Sequence, residues 1–423
     1  MVDTFNRVST AHMYDNAMRN LGTRQKSLAD LQENLTLGKR VVRPSDDPVA
    51  AAQAERALTR INRIQSEQRQ LEVQRGAIER GEATLGEAVG LVQEMRQIAV
   101  AAGGGTLTQN DRKTYAMQLQ SLQDQFNEVI NRKDANGMPL LGALGSALQP
   151  FVGPLVGGAD YLFQGLPGQT ASQGTGLAAQ LDGHSALMFD ALRDGVYNAT
   201  VDPRAPGSTL FSSALQTSNL ATLDGASYSL QVNTVTPDPV NGTLTIGYTL
   251  TRTEKDGVTT TTTPGLNAGP VRLGQPLPID IVQGGNTVMS FTLNGTPAVG
   301  DQLNMAPSVS MMSTLDASIR SIAAAPDTVM AAQAVGQALA NIDAGLERLH
   351  NMRGYAGELL NRADRISSDQ EDRSIQHQSD RSRAEDLDMI QGITDFQNAN
   401  VGYEAALKTY AQVQRLTLFN YIN

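Results

Sequence analysis

YDNAMRNLGTRQKSLADLQENL, residues 14–35, sets Tyr14, Leu21, Leu28 and Leu35 seven apart, with Met18 and Leu31 filling the same stripe. On a helix that spacing lines the side chains along one face. Ser9 and Thr10 offer the N-cap, and Gly38 supplies a residue tolerant of positive φ to end the helix. The far end of the chain repeats the pattern, with Ile393, Phe396, Tyr403, Leu407 and Tyr410 at 3,4 spacing and Leu416 and Phe419 extending the apolar content. Burying such side chains is worth about 1.5–3 kcal/mol each. Neither stripe can be left in water, so the two ends must pair with one another or with a neighbouring subunit.

Between these ends the chain reads helix, β, helix. Pro44 forces Arg43 extended, Asp47 can cap, and Pro48 fits a first helical position, so a basic connector (Arg40, Arg43) runs into an acidic helix start (Asp46, Asp47). Ile64, Leu71, Ile78, Leu85 and Val92 then keep a heptad spacing, and a second helix carries Tyr115, Leu119, Leu122, Phe126 and Val129 behind a capping box of Thr108 and Asp111. Asn136-Gly137 signals a turn, and Leu140-Leu141 with Tyr161-Leu162-Phe163 are expected to form a hairpin. From about Pro167 the composition shifts to alternating, Thr/Gly/Asn-rich strands over Ser227–Val235, Leu244–Leu250, Ile279–Val282 and Val288–Leu293. Helical periodicity returns at Leu315, continues through Val335, Leu339, Ile342, Leu346, Leu349, Ala356, Leu360 and Ala363, and passes through a polar stretch, Ser367 to Arg383, expected to be a solvent-facing helix or a joint. The fold class is therefore mainly α with an inserted all-β domain, the chain ends forming a long antiparallel coiled-coil bundle. The expected domains are 1–44 with 386–423, 45–168 with 308–385, and the β-rich 169–307.

Composition narrows the function. A length of 423 residues supports two or three domains. A net charge of −10 with no dense Lys/Arg run lacks the footprint of a nucleic-acid binder. Cys and Trp are absent, so stability must come from burial and assembly without disulfides. No stretch reaches the ~18–20 apolar residues of a membrane helix, and residues 1–20 carry no apolar core of signal-peptide type. Catalysis finds no support. His12, His184, His350 and His377 show no metal-ligand spacing, and no cofactor-binding glycine motif follows a strand. Asp46 and Asp47 suit helix caps better than an acid–base pair. Arg40, Arg43 and Asp46 fit either a bridge between subunits or a solvated connector. For the terminal stripes an ordinary internal core competes with a shared core formed on polymerisation, and the aromatic Tyr403, Tyr410 and Phe419 favour the shared core.

Three stretches carry a family resemblance. Leu35-Thr36-Leu37-Gly38-Lys39-Arg40-Val41-Val42, followed by Ser45-Asp46-Asp47-Pro48-Val49-Ala50-Ala51, resembles the N-terminal segment of the bacterial flagellin family. Met352 to Arg362 resembles the Arg…Gly-Ala…Asn-Arg signature of its C-terminal helix, with Tyr355 standing where a small residue is usual. Ser382 to Met389 is similar to the family's entry into the terminal helix. Pro44 and Pro48 around Ser-Asp-Asp, the ending Leu416 to Asn423, and Tyr161-Leu162-Phe163-Gln164-Gly165 resemble the hook-associated members at the hook–filament junction more than filament flagellins, and Gly300-Asp301 is similar to the family's closing strand.

The resemblance implies a structural protein of the flagellum without enzymatic activity, cofactor or metal. It would be exported through the flagellar type III channel without a cleaved signal, its C-terminal helix first covered by an export chaperone. Its implied partners are copies of itself, a second hook-associated protein on the hook side and flagellin on the filament side, with neither nucleic acid nor membrane insertion. A filament flagellin and, from another class, a secreted adhesin are the competing readings.

Overall fold

The computed structural model describes residues 10–143, 149–154, 161–166, 177–178, 180–202 and 204–419. In chain order the helices are α1 (Thr10–Leu37), α2 (Pro48–Ala102), α3 (Gln109–Ile130), the short α4 (Gly183–Leu187), α5 (Ala191–Asp194) and α6 (Leu220–Leu223), then α7 (Met311–Ala324), α8 (Thr328–Glu385) and α9 (Met389–Phe419). Two compact units emerge, one of residues 1–70 and 365–423, the other of residues 71–364, and α2 and α8 contribute to both.

The first unit holds α1, the start of α2, the end of α8 and α9. Gly38 adopts φ +69° at the end of α1, a conformation without steric cost only for glycine. Asp47 Oδ1 accepts from the Val49 and Ala50 N–H groups at 3.2 and 3.0 Å, and Pro48 occupies the first helical position, where its missing N–H costs nothing. Asp388 repeats the device for α9, accepting from Ile390 and Gln391. The polar stretch from Ser367 to Arg383 is uninterrupted helix within α8.

In the second unit α2 and α8 run antiparallel. Arg96 bonds Asp343 (2.7 Å), Arg353 bonds Glu82 (2.6 Å) and Arg75 meets Asp364 (3.4 Å), so positions fall along one helix as they rise along the other. Ile78, Leu85, Val92, Met95 and Ala99 of α2, and Ala338, Ile342, Leu349, Met352, Ala356, Leu359 and Ala363 of α8, are buried at 3,4 spacing. The centre of the α8 stripe lies slightly off the sequence expectation, leaving Leu339, Leu346 and Leu360 half-buried at its flank. Thr108 and Asp111 form the expected reciprocal capping box before α3. Ser310 caps α7, and Gly345 of α8 admits Met311, whose side chain would lie 2.7 Å from a Cβ there.

The strands are β1 (Phe151–Val152), β2 (Leu162–Phe163), β3 (Tyr197–Val201), β4 (Phe211–Ser212), β5 (Gln216–Thr217), β6 (Ser227–Asp238), β7 (Thr243–Thr253), β8 (Thr260–Arg272), β9 (Leu277–Gln283), β10 (Asn286–Asn294) and β11 (Gln302–Pro307). The hairpin expectation needs correction. β2 pairs with β1, not with Leu140-Leu141; those two leucines are buried turn residues beside the Lys133–Pro139 bridge. The ring contact of Phe151 with Phe163, centroids 5.1 Å apart, explains why the aromatic pair prevails. The remaining strands build two antiparallel sheets, one in the order β3-β11-β6-β7-β8, the other with β10 flanked by β9 and by β4 and β5. Leu230, Val232, Ile246, Leu303 and Met305 of the first share one core with Ile279, Ile281, Val288, Phe291 and Leu293 of the second.

Two polar knots fix this insert. Asp301, fully buried in the turn before β11, accepts from Ala205 N–H (2.8 Å), Ser208 Oγ (2.5 Å) and Ala298 N–H (2.9 Å). Near the root, Asp194 accepts from Arg193 and from the Asp190 N–H, and lies 3.6 Å from Arg348 Nε of α8. Burial by itself would raise the Asp194 carboxyl, but Arg193, the Asp190 N–H and the Arg348 charge hold it below the usual carboxylate range.

Candidate functional site

The terminal helices and their connector are the surface for which the sequence demands a partner. α1 and α9 lie antiparallel: a Cβ at Gly392 would sit 3.2 Å from Leu35, and one at Gly402 would sit 2.8 Å from Arg24 Nη1. The close approach therefore passes over the glycines of α9, Gly392 and Gly402, and the half-buried Ala399 and Ala406 continue their spacing. Sequence reasoning followed the large apolar residues and missed this seam, although the 7,3,4 spacing of the small ones was there to be read.

The large side chains flank the seam. Leu21, Leu28 and Leu35 of α1 and Phe396, Tyr403 and Tyr410 of α9 are half-buried. Met18 (46%), Ile393 (45%) and Leu407 (39%) are exposed, as are Ile390 (82%) and Val401 (67%), which the stripe did not include. The side chains of Tyr14, Leu416 and Phe419 lie outside the described residues, as does that of His12. Among the described residues between 15 and 40, and between 385 and 412, only Gly392 is buried. One helix laid on one other helix can cover only one side of each, and here even that side is thin.

The connector is tied down within the chain. Arg40 and Val41 N–H donate to the Glu385 carbonyl (2.8 and 3.3 Å), and Leu387 N–H donates back to the Gly38 carbonyl (2.9 Å). Arg40 reaches Asp47 (3.2 Å) and the Ala384 carbonyl (2.9 Å), Arg43 forks onto Glu33, and Asp46 accepts from the Val42 and Arg43 N–H groups. The Ala50 N–H, then the Arg40 guanidinium, hold the Asp47 carboxyl below its ordinary range. The entry to α2 and the exit of α8 are thus stitched together by main-chain bonds, with the four connector side chains bracing the stitch.

Among the described residues no group of three or more His, Asp or Glu side chains is arranged to hold a metal ion, and no helix is long and apolar enough to cross a membrane. His184 stacks edge-on against Phe163, and His377 lies 3.8 Å from Asp380.

Residues 8–144 match the family model for the bacterial flagellin N-terminal helical region. Flagellar hook-associated protein 3 of Escherichia coli is 30% identical over 233 residues, which cover 53% of this chain and 67% of that protein. Its namesake in Salmonella typhimurium is 32% identical over 149 residues, 34% of this chain and 46% of that one. In fold, the chain is similar to the crystal structure of the flagellar junction protein FlgL from Legionella pneumophila, with a TM-score of 0.56 and 22% identity over 74% of this chain and 99% of that one.

Proposed function

Since the chain belongs to the flagellar hook-associated protein 3 family, we propose that this structural component of the bacterial flagellum is the adaptor between hook and filament, assembling through its terminal helices. The observation that carries this reading is the contrast in burial between its two long helix pairs. α2 and α8 enclose a core in which Ile78, Leu85, Val92 and Leu349 have no exposed surface. α1 and α9 carry the same apolar period and enclose none. A helix pair so incomplete gains its core from further copies, and Met18, Leu21, Leu28, Leu35, Ile393, Phe396, Tyr403, Leu407 and Tyr410, with Tyr14, Leu416 and Phe419, are the side chains we assign to that shared layer.

The partners we assign rest on the family, not on the burial pattern. Copies of the chain meet side by side, a second hook-associated protein lies on the hook side, and flagellin lies on the filament side. Before export an unpaired α9 is an apolar helix in need of cover, which suits a chaperone. We assign no enzymatic role; the β domain, rooted by Asp194 and Arg348, is an appendage to the helical units.

A strain lacking the gene is expected to show hooks without filaments, with flagellin lost to the medium, and to recover filaments when the full chain is supplied. Filaments of normal length on the deletion strain would overturn the adaptor reading in favour of an adhesin, and hooks without filaments but with no flagellin in the medium would overturn it in favour of a filament subunit.

A further inference from the structure

Resting on the assembly reading above, we propose that a groove between the start of α2 and the end of α8 receives the outer face of α3 from a second copy of this chain, Arg56 and Arg60 pairing with Asp124 and Glu128. The groove lies within the first unit and encloses about 390 Å³; its walls carry Arg56, Arg60 and Arg383 against a single carboxylate, Asp380. That carboxylate already bonds Arg383 (3.3 Å) and lies 3.8 Å from His377. Arg56 and Arg60 are exposed one helical turn apart, a like-charge pairing that disfavours the helix, and none of the described ion pairs engages either.

The second unit carries the complement. Asp124 and Glu128 repeat the spacing of four on α3, both exposed. Gln120 donates to Asp124 at 3.3 Å, but no described cation meets either acid. Met117, 65% exposed, lies two turns up the same face and offers apolar contact beside the charges. Two basic residues and two acidic residues at one helical spacing, each repelling its own neighbour, are mutually complementary when two helices lie side by side. Because the patches occupy different surfaces of one chain, their contact is head-to-tail, and head-to-tail contacts propagate into rings or helical arrays.

The absence of cysteine makes the test direct. Full-length chains carrying Arg60→Cys and Asp124→Cys are co-expressed in the deletion strain, hook complexes are isolated, and a short bis-maleimide is added. We expect a covalent dimer from the mixture and none when Asp124→Cys is replaced by Val240→Cys, in the exposed β6–β7 turn. In a second arm, Arg56→Glu with Arg60→Glu should lower incorporation into hook complexes at least about tenfold, and adding Asp124→Arg with Glu128→Arg in the same chain should restore it. Incorporated chains without the dimer, cross-linking to flagellin or another hook protein in its place, or full incorporation of the charge-reversed chain would overturn the proposal. Absence of the unmodified chain from hook complexes would instead overturn the junction reading.

Discussion

Leu407→Asp tests the shared core with separable costs. Leu407 is 39% exposed, so about three-fifths of its surface is already covered within the subunit. Losing that cover costs the isolated subunit about 1–2 kcal/mol. The cost is confined to the α1–α9 pair, because the buried stripes of α2 and α8 in the second unit do not include it. On assembly the remaining surface would contribute about 0.6–1.2 kcal/mol, and a carboxylate placed there must also be desolvated without a partner, which costs several kcal/mol. The sum exceeds about 3 kcal/mol, and at about 1.4 kcal/mol per decade the fraction incorporated should fall more than about a hundredfold. The assay is immunodetection of the chain in purified hook complexes at matched expression, beside thermal melting of the purified subunit. We expect an unchanged main transition and almost no incorporation. Wild-type incorporation would refute the inference that this face is buried between copies, and loss of the main melting transition would refute the separation of the two costs.

Three further outcomes follow from named contacts. In the isolated subunit, amides of α1 and α9 should exchange far faster than those of α2 and α8 facing the Ile78–Leu349 core, as measured by hydrogen exchange, since their ends rest on few buried contacts; equal protection would contradict the incomplete terminal pair. Gly392→Leu would force atoms onto Leu387 and Leu35, already 2.7 and 3.2 Å from a Cβ there, and should weaken the α1–α9 pairing by about 1–3 kcal/mol, read as faster exchange in both helices. Asp194, with its folded-state pKa held below the ordinary value of 3.8, contributes stability that is fully present above that value and is lost as pH falls through the lower folded one; Asp194→Asn should flatten this acid limb in pH-dependent unfolding.

What was legible in the sequence was whatever the chain decides locally. The stop at Gly38, the caps at Asp47 and Thr108, and the 3,4 period of α2 each depend on residues within one or two turns, and each is found where it was expected. The long strands β6, β7, β9 and β10 also announced themselves by alternation. β4 and β5 did not, because two residues apiece hold no pattern; they exist as strands through their pairing with β10. Leu140-Leu141 misled for the same reason. Apolar character told of burial, but only the Phe151–Phe163 contact, from outside the local window, decided which segment would pair with β2.

The terminal pair shows where periodicity stops being informative. α1 and α9 carry the same apolar period as α2 and α8, yet one pair is dry and the other wet. A stripe specifies which face seeks cover, not how much cover the chain can supply. In the second unit α3, α7 and the segments around Leu181 and Met311 close over α2 and α8 from further sides. In the first unit α9 turns its smallest residues, Gly392 and Gly402, toward α1, bringing the backbones together and pushing Ile393 and Leu407 outward. For a self-contained core that choice would be wasteful, since the largest side chains cover the most surface. It is reasonable if the glycine seam sets the spacing of the pair and the flanking Ile393, Leu407 and Met18 are left for neighbours on either side. Enlarging the seam and charging the flank should therefore fail differently: the first acts by loosening the pair within one subunit, whereas the second acts chiefly by stopping one subunit from joining the next.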